Sequence, residues 1–76
     1  MSGNEIKQIR TLIGWTQLQV ARAAGLKNWA LISLCEARGL RLHPRQQVKV
    51  ESALLAEVRR HADECARILQ KLEAGN

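Results

Sequence analysis

Thr16 to Gly25, TQLQVARAAG, holds a helix start, a close-packing alanine and a helix stop within ten residues. Thr16 is a favoured N-cap, and Gln19 three residues later completes a capping box in which each side chain satisfies the other residue's orphan N–H. Trp15 before the cap and Val20 at the fourth helical position have the spacing of a hydrophobic staple, which fixes the angle of chain entry. Ala21 leaves room for a neighbouring helix. Gly25 can adopt the left-handed conformation that ends a helix and reverses the chain. The stretch therefore predicts one short helix, Thr16 to Ala24, followed by a tight turn into another.

Working outward, apolar residues recur at spacings of three and four, and no strand-like alternation competes with them. Helix 1 is expected from about Asn4 to Ile13, with Ser2 and Glu5 in capping-box spacing and Ile6, Ile9, Leu12 and Ile13 on one face. After Gly25, Leu26, Lys27 and Asn28 form the turn, and a third helix covers about Trp29 to Ala37 with Asn28 as its best cap. Gly39 to His43 read as a loop. Pro44 stands at the first position of a fourth helix, where proline is favoured, and His43 is placed to cap it. That helix has no internal Gly or Pro and extends to about Leu72, roughly 40 Å at 1.5 Å per residue.

Seventy-six residues make one small domain, which buries only about 60–65% of its unfolded surface and gains from a partner that adds core. Apolar runs are far shorter than the roughly 20 residues of a membrane span, and nothing resembles a signal peptide, so a cytoplasmic protein is expected. Cys35 and Cys65 lie on separate helices without metal-ligand spacing and read as reduced, core-filling thiols. No metal or other cofactor is expected. The net charge is +5 and it is uneven: residues 1–50 hold eight Lys/Arg against Glu5 and Glu36, whereas residues 51–76 hold four against five acids. Such asymmetry fits an N-terminal unit that meets a polyanion and a C-terminal unit that meets protein.

The long helix has length for two tasks. Its first part, through Val48, Val50 or Ser52, and Leu54 or Leu55, can close a core over helices 1 to 3. Beyond it, Leu55, Val58, Ala62, Cys65, Leu69 and Leu72 follow the a and d positions of a heptad, and Leu54, His61 and Ile68 widen the stripe. Each leucine-sized side chain on that face gains about 1.5–3 kcal/mol on burial, so the stripe calls for a partner. The alternative is a helix that breaks and folds back.

From Glu5 to about Ala56 the chain resembles the Cro/C1-type (Xre-like) helix-turn-helix regulators of phages and bacteria. The resemblance rests on Ile9-Arg10, Gly14, Thr16-Gln17, Val20-Ala21, Gly25-Leu26, Ile32-Ser33, Glu36, Pro44, Val48, Val50 and Ala53-Leu54. It implies an all-α, lambda-repressor-like bundle of four helices with a DNA-binding domain over residues 1–56; residues 57–76 lie outside the resemblance, and there the apolar stripe makes the extended C-terminal helix a dimerisation extension. The resemblance also implies that helix 2 braces on the sugar-phosphate backbone with Gln17 near a phosphate, that helix 3 enters the major groove, and that the loop into helix 4 meets phosphate again. Independently, a helix N-terminus at Thr16-Gln17 favours an anion, and the run from Arg38 to Lys49 carries Arg38, Arg41, His43, Arg45 and Lys49 with no acid, suited to tracking a phosphate backbone.

Helix 3 leaves two registers open. With one extra residue in the turn, Ser33 and Glu36 fall on the family pattern and Trp29, Ala30, Ser33 and Leu34 face the groove. Without it, Leu31 and Leu34 take the core positions, and Asn28, Trp29, Ile32 and Ser33 face outward. Either face is poor in hydrogen-bonding groups for base edges; Asn28 and Ser33 are the polar readers, with Lys27 at the rim, and Trp29 is either a reader or a core residue. Two functions follow: a sequence-specific transcriptional regulator, a repressor in kind, that binds double-stranded palindromic DNA as a homodimer, or a helix-turn-helix scaffold turned to protein binding through its apolar helix 3, with an antitoxin whose C-terminal helix holds a protein partner as one form. An enzyme is not expected, since no nucleophile–base pair, paired carboxylates or phosphate-cradling glycine loop is present.

Overall fold

A computed structural model describes residues 1–75 and consists of four helices: α1 Gly3–Leu12, α2 Gln17–Ala23, α3 Ala30–Arg38 and α4 Pro44–Ala74. The expected caps are present. Ser2 and Glu5 form a capping box on α1, Thr16 and Gln19 one on α2, and His43 with Gln46 one on α4, where Pro44 begins the helix. Helices α1 and α2 end alike. Gly14 and Gly25 have φ of 75° and 72°, and the residue after each donates back five positions, Trp15 N–H to Arg10 C=O at 2.9 Å and Leu26 N–H to Ala21 C=O at 2.8 Å. This six-to-one closure of a helix needs the left-handed backbone that glycine adopts without a Cβ penalty.

Ile6, Ile13, Val20, Ala21, Ala24, Ile32, Cys35, Leu42, Val50 and Leu54 make the buried core. Ala21 is buried on α2, which packs against both α3 and α4; a larger side chain there would overfill a close-packed interior. Trp15, Ile9 and Val58 pack partly against this core. Several expected core positions lie outside it. Leu12 is exposed at the end of α1, and Val48 and Leu55 are exposed on α4, because Val50 and Leu54, four residues apart, already supply the one α4 face that meets the bundle. Leu42, from the loop, fills space that periodicity alone does not assign.

The register of α3 follows from the same packing. Ile32 and Cys35 are buried, whereas Leu34 faces outward, so the turn contains the extra residue. Burial pushes the Cys35 thiol up, with Glu36 adding to the effect. Cys65, by contrast, is exposed and fills no core within the chain.

That register delivers Glu36 to Arg10. The guanidinium grips the carboxylate with two hydrogen bonds, Nε to Oε2 at 2.8 Å and Nη2 to Oε1 at 2.9 Å, and its third arm, Nη1, donates to the Trp15 carbonyl at 3.0 Å. Gln17 Nε2 adds a bond to Glu36 Oε1 at 3.2 Å. The side chains of Arg10 and Glu36 are 16% and 4% exposed. Burial alone would raise the Glu36 carboxyl, but the bonds from Arg10 and Gln17 and the nearby positive charge outweigh it and hold the group below the ordinary 4.5.

Past the bundle, α4 continues as one unbroken helix, so the molecule measures 50 × 20 × 18 Å. It does not fold back. Val58 still leans on the core, so packing extends slightly beyond residue 56. Among the described residues, no helix is long and apolar enough to cross a membrane.

Removing one partner of a buried ion pair strands the other, at a cost of about 3–5 kcal/mol; Arg10 retains some access to water, so Glu36→Ala should lower the unfolding free energy by about 3 kcal/mol, measured by urea denaturation. The pH dependence has a defined sign. A carboxyl with a depressed folded pKa contributes stability above its unfolded value and loses it as pH falls through the folded value. Wild type should therefore lose more stability than Glu36→Gln as pH drops below 4.5; parallel acid limbs for the two proteins would remove Glu36 from the account.

Candidate nucleic-acid interface

The Arg10–Glu36 fork holds the start of α2 against the C-terminal half of α3, half a turn from Arg38. At that start, the Thr16 hydroxyl accepts the Gln19 backbone N–H at 3.1 Å and the Gln19 side-chain Oε1 accepts the Thr16 N–H at 2.7 Å. Thr16 is exposed there, and Gln17 is half-buried. The Gln17 amide, expected near a phosphate, instead donates to Glu36. Its place in the structure is part of the fork.

Basic residues gather along the chain from α3 into α4. Arg38 ends α3; Arg41 and His43 lie in the connecting loop; Arg45 and Lys49 occupy the first two turns of α4, and all five are exposed. Four Lys/Arg within residues 38–49 stand without an acid. Among the described residues none of these four forms an ion pair. His43 has a structural task as well, since its Nδ1 accepts the Arg45 N–H at 3.3 Å. Uncompensated charge on a short, ordered segment leaves the full attraction for an external anion.

The first turn of α3 presents the remaining candidates. Asn28 caps the helix through its side chain, with Oδ1 accepting the Ala30 N–H at 3.0 Å, although Trp29 is the residue at the boundary. The amide NH₂ of Asn28 makes no bond among the described residues and can meet another molecule. Trp29 is 51% exposed and so belongs to the surface rather than the core. Leu34 is exposed, Ala30 and Ser33 are half-buried, and Lys27 is exposed in the turn. The outward face of α3 is thus mostly apolar, with the Ser33 hydroxyl and the Asn28 amide as its polar groups.

The residues expected at a dimer seam fall outside the bundle. Leu55, Ala62, Cys65, Leu69 and Leu72 are exposed, and Val58 is half-buried against its own core. Sequence reading missed the fork. Arg10 and Glu36 entered only through the charge balance and the family pattern, never as a pair; opposite charges in the C-terminal halves of two helices that pack together were the signal that could have joined them. Comparison with protein-family models, with curated proteins and with solved structures found no match.

Proposed function

We propose that the chain is a sequence-specific DNA-binding regulator, a repressor in kind, that acts in the cytoplasm and binds a two-fold symmetric operator as a homodimer. The observation that carries this reading is the acid-free basic segment from Arg38 to Lys49, exposed and unpaired beside α3. Duplex DNA offers one negative charge per about 1.7 Å of axis, and each phosphate neutralised releases counterions. In this reading α3 enters the major groove. Trp29, Ala30 and Leu34 meet thymine methyl groups, Ser33 and the Asn28 amide contact base edges, and Lys27 reaches a phosphate at the groove rim. Thr16 and Gln17 approach the backbone of the same site through the positive end of α2. Half-site centres then lie a whole number of helical turns apart.

A second reading has one observation in its favour. The exposed Trp29 and Leu34 give α3 an apolar face of the sort that docks protein, as an antitoxin or other partner-binding scaffold would. If Trp29→Ala keeps its fold and its DNA affinity but loses a protein partner, that reading replaces the first.

Salt titration of binding to duplex DNA tests the basic segment. Each neutralised phosphate contributes about −0.9 to the slope of log affinity against log salt. Arg41→Ala with Arg45→Ala should flatten the slope by about one unit for every phosphate left unneutralised in each half-site, and should weaken all duplexes alike. An unchanged slope would take this segment out of the interface.

Asn28 needs two variants, since it caps α3 and also presents a donor. Asn28→Ala should cost about 1 kcal/mol of stability through removal of the cap, whereas Asn28→Ser keeps a capping oxygen and loses only the amide. If the amide reads a base, Asn28→Ser retains wild-type melting yet relaxes preference at one operator position per half-site by about 1–3 kcal/mol. Ser33→Ala should do the same at a different position. Binding-site selection from random duplexes measures both, and unaltered preference in both variants would place sequence reading elsewhere.

A further inference from the structure

We infer that the exposed half of α4 pairs with the same segment of a second copy in antiparallel orientation, with the two-fold axis crossing at the level of residue 67. The inference deepens the dimeric part of the function proposed above and does not depend on DNA.

Volume is the first argument. In the part of the stripe beyond Val58, the small residues Ala62 and Cys65 come first, and the large residues Leu69 and Leu72, 56% and 64% exposed, come last. A parallel pair sets each a or d residue against its own copy, so Ala62 and Cys65 would meet small partners and Leu69 and Leu72 large ones, and a seam wide enough for the leucine layers would leave gaps at the small ones. An antiparallel pair sets a against d. Cys65 then faces Leu69 of the second copy and Ala62 faces Leu72, so every layer joins one small side chain to one large one and the seam keeps a constant width, as close packing requires.

Charge is the second and is independent of the first. Arg60, on the outer face, is already occupied by Glu57 and Glu64 of its own helix, and His61 Nε2 lies 3.1 Å from Glu57 Oε1. Arg59 and Glu73, which flank the seam on one side, form no ion pair among the described residues. The antiparallel arrangement brings Arg59 of each copy to Glu73 of the other and leaves only alanine, Ala66, between the two pairs. On the opposite flank Ile68 meets Ile68 of the second copy. A parallel arrangement would instead set Ile68 beside Glu73 and leave Arg59 without an acid. The fit also ends where it should: the overlap stops near residue 59, where α4 enters its own bundle, so neither body obstructs the other.

Cysteine crosslinking distinguishes the orientations. Under a mild oxidant the wild-type dimer should form no intermolecular disulfide, because the two Cys65 residues sit about 6 Å apart along the axis in addition to the width of the seam, beyond disulfide reach. Leu69→Cys should crosslink rapidly through Cys65 of the other copy, and adding Cys65→Ser should abolish the bond. Rapid crosslinking of wild type would establish the parallel form and overturn the inference. Should Leu69→Cys weaken the dimer, nitroxides at Ser52→Cys, in a Cys65→Ser background, give a second measure: a separation of about 45 Å for antiparallel helices against less than about 25 Å for parallel ones. Sedimentation of wild type as a monomer at about 100 µM would defeat the dimer itself rather than its orientation.

Discussion

The fork between Arg10 and Glu36 ties α1, α2 and α3 together at one point. One guanidinium uses all three of its nitrogens, two on the carboxylate of α3 and one on the carbonyl of Trp15, the residue that links α1 to α2. Gln17 brings the first turn of α2 to the same carboxylate. Three helices and a turn thus converge on a nearly buried acid. Arginine suits the task because its planar fork matches two carboxylate oxygens while keeping a donor free, which a lysine ammonium cannot reproduce in one geometry. Since a buried pair of this kind offers little net stability over a well-packed apolar contact, its contribution is best understood as orientation: it fixes the angle between α2 and α3, and with it the direction in which α3 faces.

The elements of this fold were legible because their signals are local. Capping boxes at Ser2 and Thr16 and a left-handed glycine at Gly25 each decide a boundary within a few residues, without reference to the rest of the chain. Pro44 with His43 does the same for α4. What escaped were decisions made between elements. Periodicity put Leu12 and Val48 on plausible apolar faces, but a bundle of short helices uses only a narrow part of each, and Ile13 and Val50 took the places. The register of α3 turned on one residue in a loop, and only packing against α1 and α2 could select Ile32 and Cys35 over Leu31 and Leu34. The candidate interface divides in the same manner. Its basic segment is visible in composition, while the engagement of Gln17 with Glu36 and of Asn28 with its own helix requires three dimensions.

Those engagements bear on how a groove could be read. A helix whose outward face is Trp29, Ala30, Ser33 and Leu34 has few donors and acceptors, and Asn28 has already committed its oxygen to the cap. On the proposed function, affinity comes chiefly from the segment around Arg41 and Arg45, and discrimination from apolar contact with thymine methyls and from the shape that the duplex adopts against α3. Such a protein depends on holding α3 in one pose, because an apolar contact that shifts by an ångström has no directional bond to restore it. The fork supplies that rigidity.

The tail sets the second constraint. If α4 pairs antiparallel about residue 67, the levels of Val50 in the two bodies are about 50 Å apart along the seam. Half-sites one turn of DNA apart, about 34 Å, are then too close for both bodies, whereas two turns, about 68 Å, are met when each α3 lies outboard of its own Val50 by roughly 9 Å. A parallel seam would draw the bodies together and favour the one-turn spacing. The spacing of half-sites in a selected operator and the partner of Cys65 are therefore two readouts of one geometry: two-turn spacing belongs with a wild-type protein that resists crosslinking, and one-turn spacing with a protein that crosslinks through Cys65. An operator of one-turn spacing bound by a dimer that fails to crosslink would require α4 to bend between Val58 and Ala62, within a helix that contains neither glycine nor proline there.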